Sequence, residues 1–416
     1  MKDLLRGSRP QGGSCSGRTV ALCVTGSIAA YKAAELARLL GKAGAVVLPV
    51  MTESAARFLG PVTLSGVTGE AVTMDMWDES VPGEVHVRLA ERADLVAIVP
   101  ATADVLARLA HGRADDLVTA LALCTRGPLI VAPAMHPRMW EHPAIQRNVA
   151  ELSTQDRVTF VGPVRGEVAS GDVGMGRMAE PDAIASAIAT ALSERDLTGV
   201  RIVVTAGPTL EDIDPVRFIG NRSSGRMGFA VAERAAARGA AVTLIAGVVG
   251  VPTPYGARRV DVRGAMEMRA ALRDALGADM SRADALVMAA AVADYRPIET
   301  SVTKIKKGDD RVALELVKNP DLLAEMGAAR VGTRPVLVGF AVETGAQDVL
   351  VASARRKLIE KGVDLVVANE ASESFGREDN RATFVTAAGA EPLPTMSKVA
   401  LADVLIDRLR VLLGKG

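Results

Sequence analysis

Short apolar runs rich in Val, Ile and Leu alternate with helical stretches along the chain, and this alternation limits the possible folds more than any other feature. The runs of the first half are TVALCVTG (19–26), AVVLPVM (45–51), ADLVAIVPA (93–101), PLIVAPAM (128–135) and RVTFVGP (157–163). Strands that are apolar on both faces are typical of parallel sheets covered by helices on both sides. The first half is therefore predicted to be an α/β domain with a doubly wound sheet.

A second series of runs begins at Val200 and repeats the order of strand, glycine turn and helix. Its runs are VRIVVTAG (200–207), AAVTLIAG (240–247), ADALVMAAAVA (283–293), RPVLVGFAVE (334–343) and VDLVVANEA (363–371). A chain of 416 residues is longer than one hydrophobic core usually serves. We therefore predict two doubly wound three-layer α/β domains with mainly parallel sheets, at 18–192 and 200–416, with a linker at 193–199 and a disordered tail at 1–17.

The composition argues against several classes of protein. The 49 basic and 49 acidic residues give a formal net charge of zero, so no global field favours nucleic acid or a membrane surface as a partner. No apolar run approaches the ~18 residues of a membrane span, and the polar first 17 residues lack the apolar region of a signal peptide. The 3 cysteines have neither metal-ligand spacing nor a disulfide pattern, which suits a cytoplasmic location.

Small polar residues follow three predicted strands of the first half, at the sheet edge where parallel sheets bind ligands. Gly26 and Ser27 follow the first strand, Thr52 and Ser54 the second, and Thr102 the third. The G-x-G-x-x-G pattern of a dinucleotide site is absent. The hydroxyl-rich turns suit the phosphate and ribityl chain of a mononucleotide such as FMN, although ordinary strand-to-helix turns are the simpler interpretation.

Two further segments of the first half contain candidate functional residues. His86 precedes the third strand and is either a surface or capping residue or a base beside a flavin. The fourth strand leads into PAMHPRMWEHP (133–143), in which His136 stands among apolar residues such as Met135 and Met139. This segment is either a packing loop or the wall of a substrate pocket.

The segment RGEVASGDVGMGRMAEP (165–181) has 4 glycines and neither a helical nor a strand-like pattern. Each interior glycine costs a helix about 1 kcal/mol relative to alanine. The segment is therefore predicted to be a mobile loop, either a plain connector or a flap with glycine hinges that closes over a ligand. Ser170 is its candidate functional residue.

In the second half, polar residues again follow the predicted strands. VTAGPTLEDIDPVRFIGNRSSGRMG (204–228) is an anion cradle or a capped helix start, and it lacks the Walker A pattern. AAAVADYRP (289–297) places Asp294 where it could contact a metal-bound phosphate or a ribose.

Basic residues follow in two places. KIKK (304–307) lies on a hairpin-like segment, and its alternation predicts that Lys304 and Lys306 lie on one side of a strand. KNPDLL (318–323) opens a helix, and the four-residue spacing of Lys357 and Lys361 puts them on one helix face.

Taken in order, GSIAAYK, PATAD, His86, PAMHPRMW and GDVGMGRM resemble the flavin-dependent phosphopantothenoylcysteine decarboxylases. VTAGPT, DPVRFIGNRSSGRMG, AAVADY, KIKK and KNPD resemble phosphopantothenate–cysteine ligase. Together the motifs span about residues 18–410 and are similar to the fused bacterial enzymes of coenzyme A synthesis. The resemblance implies a flavoprotein-type N-terminal half and a Rossmann-like ligase C-terminal half.

The resemblance also implies the reactions and the assembly. CTP with Mg²⁺ would activate the carboxylate of 4′-phosphopantothenate, and cysteine would then form the amide. FMN-dependent decarboxylation of the product would give 4′-phosphopantetheine. The family forms homo-oligomers built from trimers, up to a dodecamer, so that some flavin ligands come from a neighbouring chain.

The motifs carry the functional positions of the family onto this chain. The implied catalytic residues are His86, His136, Ser170, Asn221 and Lys304. The implied FMN-binding residues are Gly26, Ser27, Ile28, Thr52, Ser54, Pro100, Ala101, Thr102 and Met135. The implied substrate- and nucleotide-binding residues are Met139, Ala290, Asp294 (near the magnesium–nucleotide), Lys304, Pro320, Asp321, Leu322, Leu323, Phe340, Lys357 and Lys361.

Two positions depart from the pattern of the family. The chain has His136 where the family has Asn, and Ser170 where the family has a proton-donating Cys in the flap. A hydroxyl is a far poorer acid than a thiol, whose pKa is about 8.5. The alternative hypothesis is therefore an active ligase fused to a flavin-binding domain that is non-catalytic or releases an enethiol.

Overall fold

The computed structural model describes residues 14–80, 82–306, 313–343, 347–370 and 379–415. The chain divides between Ser193 and Glu194 into two compact α/β units. The segment that follows this division belongs structurally to the second unit. Leu197 is buried in the core of that unit, and Asp196 lies 2.5 Å from Arg238.

All the apolar runs of the first half form strands, as predicted. They are β1 (Thr19–Val24), β2 (Val46–Met51), β3 (Leu95–Ala101), β4 (Leu129–Pro133) and β5 (Val158–Phe160), which form a parallel sheet in the order β2-β1-β3-β4-β5. The other elements are β6 (Val164–Glu167), β7 (Val173–Arg177), α1 (Lys32–Lys42), α2 (Pro61–Thr68), α3 (Val85–Arg92), α4 (Ala103–Ala110), α5 (Leu117–Cys124), α6 (Pro137–Trp140), α7 (Pro143–Ser153), α8 (Pro181–Leu192) and 3-10 turns at Ile28–Tyr31 and Ala55–Arg57.

Helices cover both faces of this sheet. Val20, Leu22 and Val24 of β1 pack with α1 and α8, whereas Ala21 and Cys23 pack with α3, α4 and α5. This division follows from the alternation of side chains along a strand. Each fully buried Val or Leu contributes about 1.5–3 kcal/mol, so the double covering explains why the strands are apolar on both faces.

The core of the first unit includes a residue of the predicted tail. Cys15 is 1% exposed, and its N–H donates to the Ala43 carbonyl oxygen (3.0 Å). Its small apolar side chain packs into the core beside α1. Residues 1–13 of the predicted tail lie outside the described residues.

The glycine-rich segment, predicted to be a loop with glycine hinges, instead forms an antiparallel hairpin of β6 and β7. Gly171 has φ +85° at its turn. A Cβ on Gly176 would lie 2.3 Å from the Met135 carbonyl oxygen, and one on Gly174 would lie 2.8 Å from Pro137. The prediction of hinges was therefore wrong for the last two glycines, which allow the hairpin to pack closely on the segment after β4.

The second unit is built on an 8-stranded sheet in the order β12-β11-β8-β13-β16-β17-β19-β20. Its strands are β8 (Arg201–Ala206), β11 (Ala241–Ala246), β12 (Ala257–Asp261), β13 (Ala285–Met288), β16 (Val336–Glu343), β17 (Leu365–Glu370), β19 (Ala382–Thr386) and β20 (Gly389–Pro392). The first six are parallel, in the order of the doubly wound dinucleotide folds. The sequence did not predict β12, β19 or β20, of which β19 and β20 are antiparallel.

Helices cover both faces of this sheet as well. They are α9 (Arg226–Ala237), α10 (Ala265–Leu276), α11 (Leu322–Ala329), α12 (Gln347–Glu360) and α13 (Lys398–Leu412). Short ladders pair β9 (Leu210–Asp212) with β10 (Phe218–Gly220), β14 (Tyr295–Pro297) with β15 (Leu316–Lys318), and β18 (Asp379–Asn380) with β21 (Met396–Ser397). None of the helices in the described part of the chain has the length and apolar character needed to span a bilayer.

Candidate active sites

Two cavities lie beside each other at the carboxyl ends of the strands in the first unit. The strand-end cavity (about 750 Å³) is lined by the loops after β1, β2 and β3, and the hairpin cavity (about 650 Å³) by the β6–β7 hairpin. Ser27 and Met135 line both. The strand order of the sheet reverses between β1 and β3, which is where doubly wound folds bind ligands.

The predicted hydroxyl residues of the three loops all line the strand-end cavity. Thr52 Oγ1 and Ser54 Oγ are 3.0 Å apart. Ser27 Oγ accepts the N–H of Ala29, and Thr102 Oγ1 accepts that of Val105 at the start of α4 (both 3.3 Å). These contacts hold the hydroxyls in place on three separate loops.

The other wall of the strand-end cavity is apolar and consists mainly of flexible methionine side chains. It is formed by Met51, Met74, Met76, Trp77, Met135 and Met139. Methionine side chains adapt to the surface of a planar ring and make favourable contacts with it. Together with the hydroxyls, this wall fits a flavin mononucleotide, whose ring is apolar and whose tail is polar.

The two cavities differ in charge. In the strand-end cavity, Arg108 lies 2.8 Å from both Asp104 and Asp116, and 3.5 Å from Asp115. These carboxylates leave a negative excess, which disfavours a phosphate beside Arg108.

Cations line the hairpin cavity instead. Lys32 and Arg177 both bind Glu180, at 2.8 and 2.6 Å. The hydrogen bond from Lys32 is the main cause that lowers the pKa of Glu180. Glu167 also lines this cavity, so its charge is close to balanced.

Three predicted site residues of the first unit lie outside both cavities. Pro100 and Ala101 belong to β3, where Ala101 is fully buried and the Pro100 carbonyl oxygen accepts the hydroxyl of Thr25 (2.7 Å). His86 lies half-buried on α3 and lines neither cavity.

The two unusual residues of the first unit meet at a carboxylate that the sequence did not single out. His136 Nδ1 accepts the N–H of Arg138 (3.2 Å), so Nε2 carries the ring proton and donates it to Asp172 Oδ2 (2.7 Å). Ser170 Oγ donates to the same oxygen (3.1 Å). The bonds from His136 and then Ser170 lower the pKa of Asp172, which is therefore an ionised acceptor. Its place two residues after Ser170 in a tight turn is the signal that could have identified it.

The candidate site of the second unit lies at the reversal point between β8 and β13. Thr205 Oγ1 accepts the N–H of Ala290 (3.2 Å), which ties the two strand ends together. Asn221 Nδ2 donates to the Val292 carbonyl oxygen (2.9 Å). Two predicted site residues, Asn221 and Ala290, are thus brought together on neighbouring turns.

The KNPD segment is tied to the same turn by a residue that the sequence analysis did not single out. Asn319 is 5% exposed. Its side-chain amide donates to the carbonyl oxygen of Ala293 (2.8 Å), and its backbone N–H donates to the carbonyl oxygen of Asp294 (2.8 Å). Asp294 itself is exposed. Membership of the KNPD motif was the only signal for Asn319.

Asp321 and Lys361 form an ion pair of 2.9 Å. Asp321 also begins α11 by accepting the N–H of Ala324. Burial acts to raise the pKa of Asp321, but the bonds from Ala324 and Lys361 outweigh it and lower the pKa. Lys361 lies just after α12, and its N–H donates to the Lys357 carbonyl oxygen (3.0 Å), so the two lysines are one turn apart.

The remaining predicted residues are divided between core and surface. Leu322 is buried, Leu323 and Phe340 are partly buried against the two cores, and Pro320 is half-buried. Lys304 is exposed.

The prediction of a strand through Lys304 and Lys306 was wrong, because residues 304–306 belong to no strand. Side chains rather than a neighbouring strand satisfy the backbone of Ile305. Lys307 lies outside the described residues.

Comparison with known proteins assigns both units to families. The Flavoprotein model matches residues 8–193, and the model of the DNA/pantothenate metabolism flavoprotein C-terminal domain matches residues 197–412. The coenzyme A biosynthesis bifunctional protein CoaBC of Vibrio cholerae is 43% identical over 399 residues, which cover 94% of this chain and 98% of the relative. The protein of the same name from Mycobacterium bovis is 45% identical over 408 residues, which cover 94% and 96%. The chain therefore belongs to the family of coenzyme A biosynthesis bifunctional proteins.

Proposed function

We propose that the chain joins 4′-phosphopantothenate to cysteine with CTP and Mg²⁺, and then decarboxylates the product with FMN to 4′-phosphopantetheine. The observation that carries this proposal is the match of nearly the whole chain to bifunctional relatives, with one family model on each unit. The alternative of a non-catalytic flavin domain is not favoured, because these relatives share both units.

In the ligase unit, the proposed roles follow from position and charge. Asn221 faces the turn of Ala290, where its amide would hold the acyl intermediate. Among the described residues, no cluster of three or more His, Cys, Asp or Glu side chains could hold a metal ion. We therefore propose that Mg²⁺ arrives with CTP near Asp294, while Lys357 and Lys361 attract the phosphates.

In the decarboxylase unit, the flavin would supply a reversible two-electron acceptor next to the cysteinyl group. Gly26 and the hydroxyls of Ser27, Thr52, Ser54 and Thr102 would hold its polar tail. His136 and Ser170, both on the hairpin cavity, would contact the substrate. The hairpin would exclude water from the reacting group.

Substitution of Gly26 by alanine is expected to reduce flavin binding at least about tenfold. The added Cβ would lie 2.5 Å from Ser54 Oγ and 2.6 Å from Ser54 Cβ, and such overpacking costs about 1–3 kcal/mol. Flavin absorbance per protein after desalting measures the effect. Gly66→Ala is the matched control, since a Cβ there has no neighbour within 4 Å. Equal flavin content in the two variants would place the flavin elsewhere.

Substitution of Ser170 by alanine is expected to leave the rate of 4′-phosphopantetheine formation within about threefold, since the Ser170 hydroxyl proton is directed at the Asp172 carboxylate. Mass spectrometry of the products from supplied 4′-phosphopantothenoylcysteine measures this rate. Accumulation of the enethiol in Ser170→Ala would instead identify Ser170 as the proton donor. The ligase rate of the same variant is the internal control.

Assembly and location complete the proposal. We propose a trimer-based homo-oligomer, because His86 lies outside the cavities of its own unit and could serve a neighbouring one. Light scattering of the purified protein tests the assembly, and a monomeric active enzyme would rule it out.

A cytoplasmic location is proposed because free cysteine persists in a reducing compartment.

One incubation tests the whole proposal. The full-length protein is supplied with 4′-phosphopantothenate, cysteine, CTP and Mg²⁺, and mass spectrometry follows the products. We expect CTP-dependent appearance of 4′-phosphopantetheine with release of CO₂. Accumulation of 4′-phosphopantothenoylcysteine by a flavin-loaded protein would restore the alternative of a non-catalytic flavin domain.

A further inference from the structure

Asp214 lies in the connection between β9 and β10, and its side chain is completely buried. Its Oδ1 accepts the N–H groups of Val216 and Arg217 (both 2.8 Å). Its Oδ2 accepts Nε and Nη2 of Arg217 (2.9 and 2.6 Å). Burial acts to raise the pKa of Asp214, but these bonds outweigh it and hold the pKa far below its usual range. Asp214 is thus a buried, ionised acceptor.

The same pair reaches a segment far along the chain. Asp214 Oδ2 accepts the N–H of Ile305 (3.2 Å), and Arg217 Nη2 donates to the Ile305 carbonyl oxygen (2.8 Å). Both backbone polar groups of Ile305 are therefore held by one ion pair. Ile305 stands between Lys304 and Lys306.

The segment before Ile305 is held by the same connection. The Ser301 N–H donates to the carbonyl oxygen of Ile213 (3.0 Å). The Thr300 hydroxyl donates to the backbone carbonyl oxygen of Asp212 (3.0 Å). These bonds use backbone acceptors, so they would survive side-chain changes at Asp214. Substitution of Asp214 or Arg217 can therefore remove only the hydrogen bonds that these two side chains make to Ile305.

We propose that Asp214 and Arg217 form a latch that holds the backbone of Ile305 and so positions Lys304 for the ligase reaction. This proposal rests on the proposed function of Lys304. Asp214 is a positioning residue, since it is buried and both of its oxygens accept hydrogen bonds from the protein. Without the latch, the segment would have to be ordered each time that substrate binds, and each ordered residue costs about tenfold in rate or affinity.

The test is Asp214→Asn, which keeps the shape of the side chain. If the amide nitrogen of the new asparagine takes the place of Oδ2, it lies against the N–H groups of Arg217 and Ile305. An amide nitrogen donates hydrogen bonds and cannot accept those of Arg217 and Ile305. We expect trypsin to cleave after Lys304 at least about tenfold faster, and the ligase kcat to fall about tenfold. We expect the KM for CTP to change by less than about threefold, because the latch orders the segment and binds no nucleotide. Mass spectrometry of timed digests identifies the cleavage site.

Asp212→Asn is the matched control. Asp212 lies at the end of β9, and its carboxylate binds Arg263 (2.6 Å) instead of the Lys304 segment. Cleavage and ligation by this variant should both match the parent protein. Arg217→Lys is a second test should Asp214→Asn fold poorly, because lysine keeps the charge but cannot bridge Asp214 and Ile305.

The outcomes separate the latch from the function of Lys304. Cleavage that stays at the parent rate in both Asp214→Asn and Arg217→Lys would overturn the latch. Faster cleavage with full ligation would overturn its role in positioning. Lys304→Gln tests the proposed function alone: full ligation by this variant removes the role of Lys304, while the digests still decide whether the latch exists.

Discussion

Substitution of Asn221 by alanine is expected to lower ligation of 4′-phosphopantothenate with cysteine by at least about 100-fold, because loss of one preorganised donor at a reacting centre costs about 10²–10³ in kcat. Asn221 is held beside the turn of Ala290 by its bond to Val292. Pyrophosphate release from CTP should persist, since activation of the carboxylate precedes the step that needs the amide. Separate assays of pyrophosphate and of the amide product measure the two steps.

Two controls accompany the Asn221 variant. Asn148→Ala makes the same chemical change on α7 of the other unit and should ligate at the parent rate. Decarboxylation of supplied 4′-phosphopantothenoylcysteine by Asn221→Ala should also be unchanged, which shows that the protein is folded. Wild-type ligation by Asn221→Ala would rule out the proposed role.

Substitution of Gly176 by alanine is expected to slow decarboxylation about 10- to 100-fold, since overpacking against fixed atoms costs about 1–3 kcal/mol. The added Cβ would lie 2.3 Å from the Met135 carbonyl oxygen and 3.1 Å from the Pro137 nitrogen, which are backbone atoms. The hairpin would have to move away, and the bond from the Met135 N–H to the Gly176 carbonyl oxygen (3.0 Å) would break. Release of CO₂ from supplied 4′-phosphopantothenoylcysteine measures the effect.

Gly41→Ala on α1 is the matched control. A Cβ there has no neighbour within 4 Å, so the same chemical change leaves the hairpin untouched. Its rate should stay within about threefold of the parent rate. If Gly176→Ala decarboxylates as fast as this control, the hairpin does not close the site. Flavin absorbance shows whether cofactor loss contributes.

The strands of both central sheets could be predicted because their signal is local. Residues of β1 alternate between two helical layers, so both sets must be apolar, and this is visible in a run of six residues. β20 carries no such signal, because it is largely exposed and β19 supplies its hydrogen bonds. The run ATFVT of β19 is buried and rich in β-branched residues, so its signal was present in the sequence and was missed.

The sites were predicted less completely than the sheets. Hydroxyls at strand ends predicted the strand-end cavity, because parallel strands bring their carboxyl ends to one edge. Pro100 and Ala101 were included by resemblance, and His86 also by its position before the third strand. The geometry of one chain does not bring these three residues to that cavity. Asp172 was missed because its importance comes from its partner His136, which lies 36 residues away.

The amino-acid pattern alone determined that the chain has two parallel α/β domains, which turns carry polar groups, and which motifs resemble those of known enzymes. These features depend on a few adjacent residues. The tertiary structure decided that the glycine-rich segment is a packed hairpin and that Asp214 holds Ile305 across 91 residues. Such contacts form where loops from distant strands meet. The sequence around either residue does not indicate which residue it will contact.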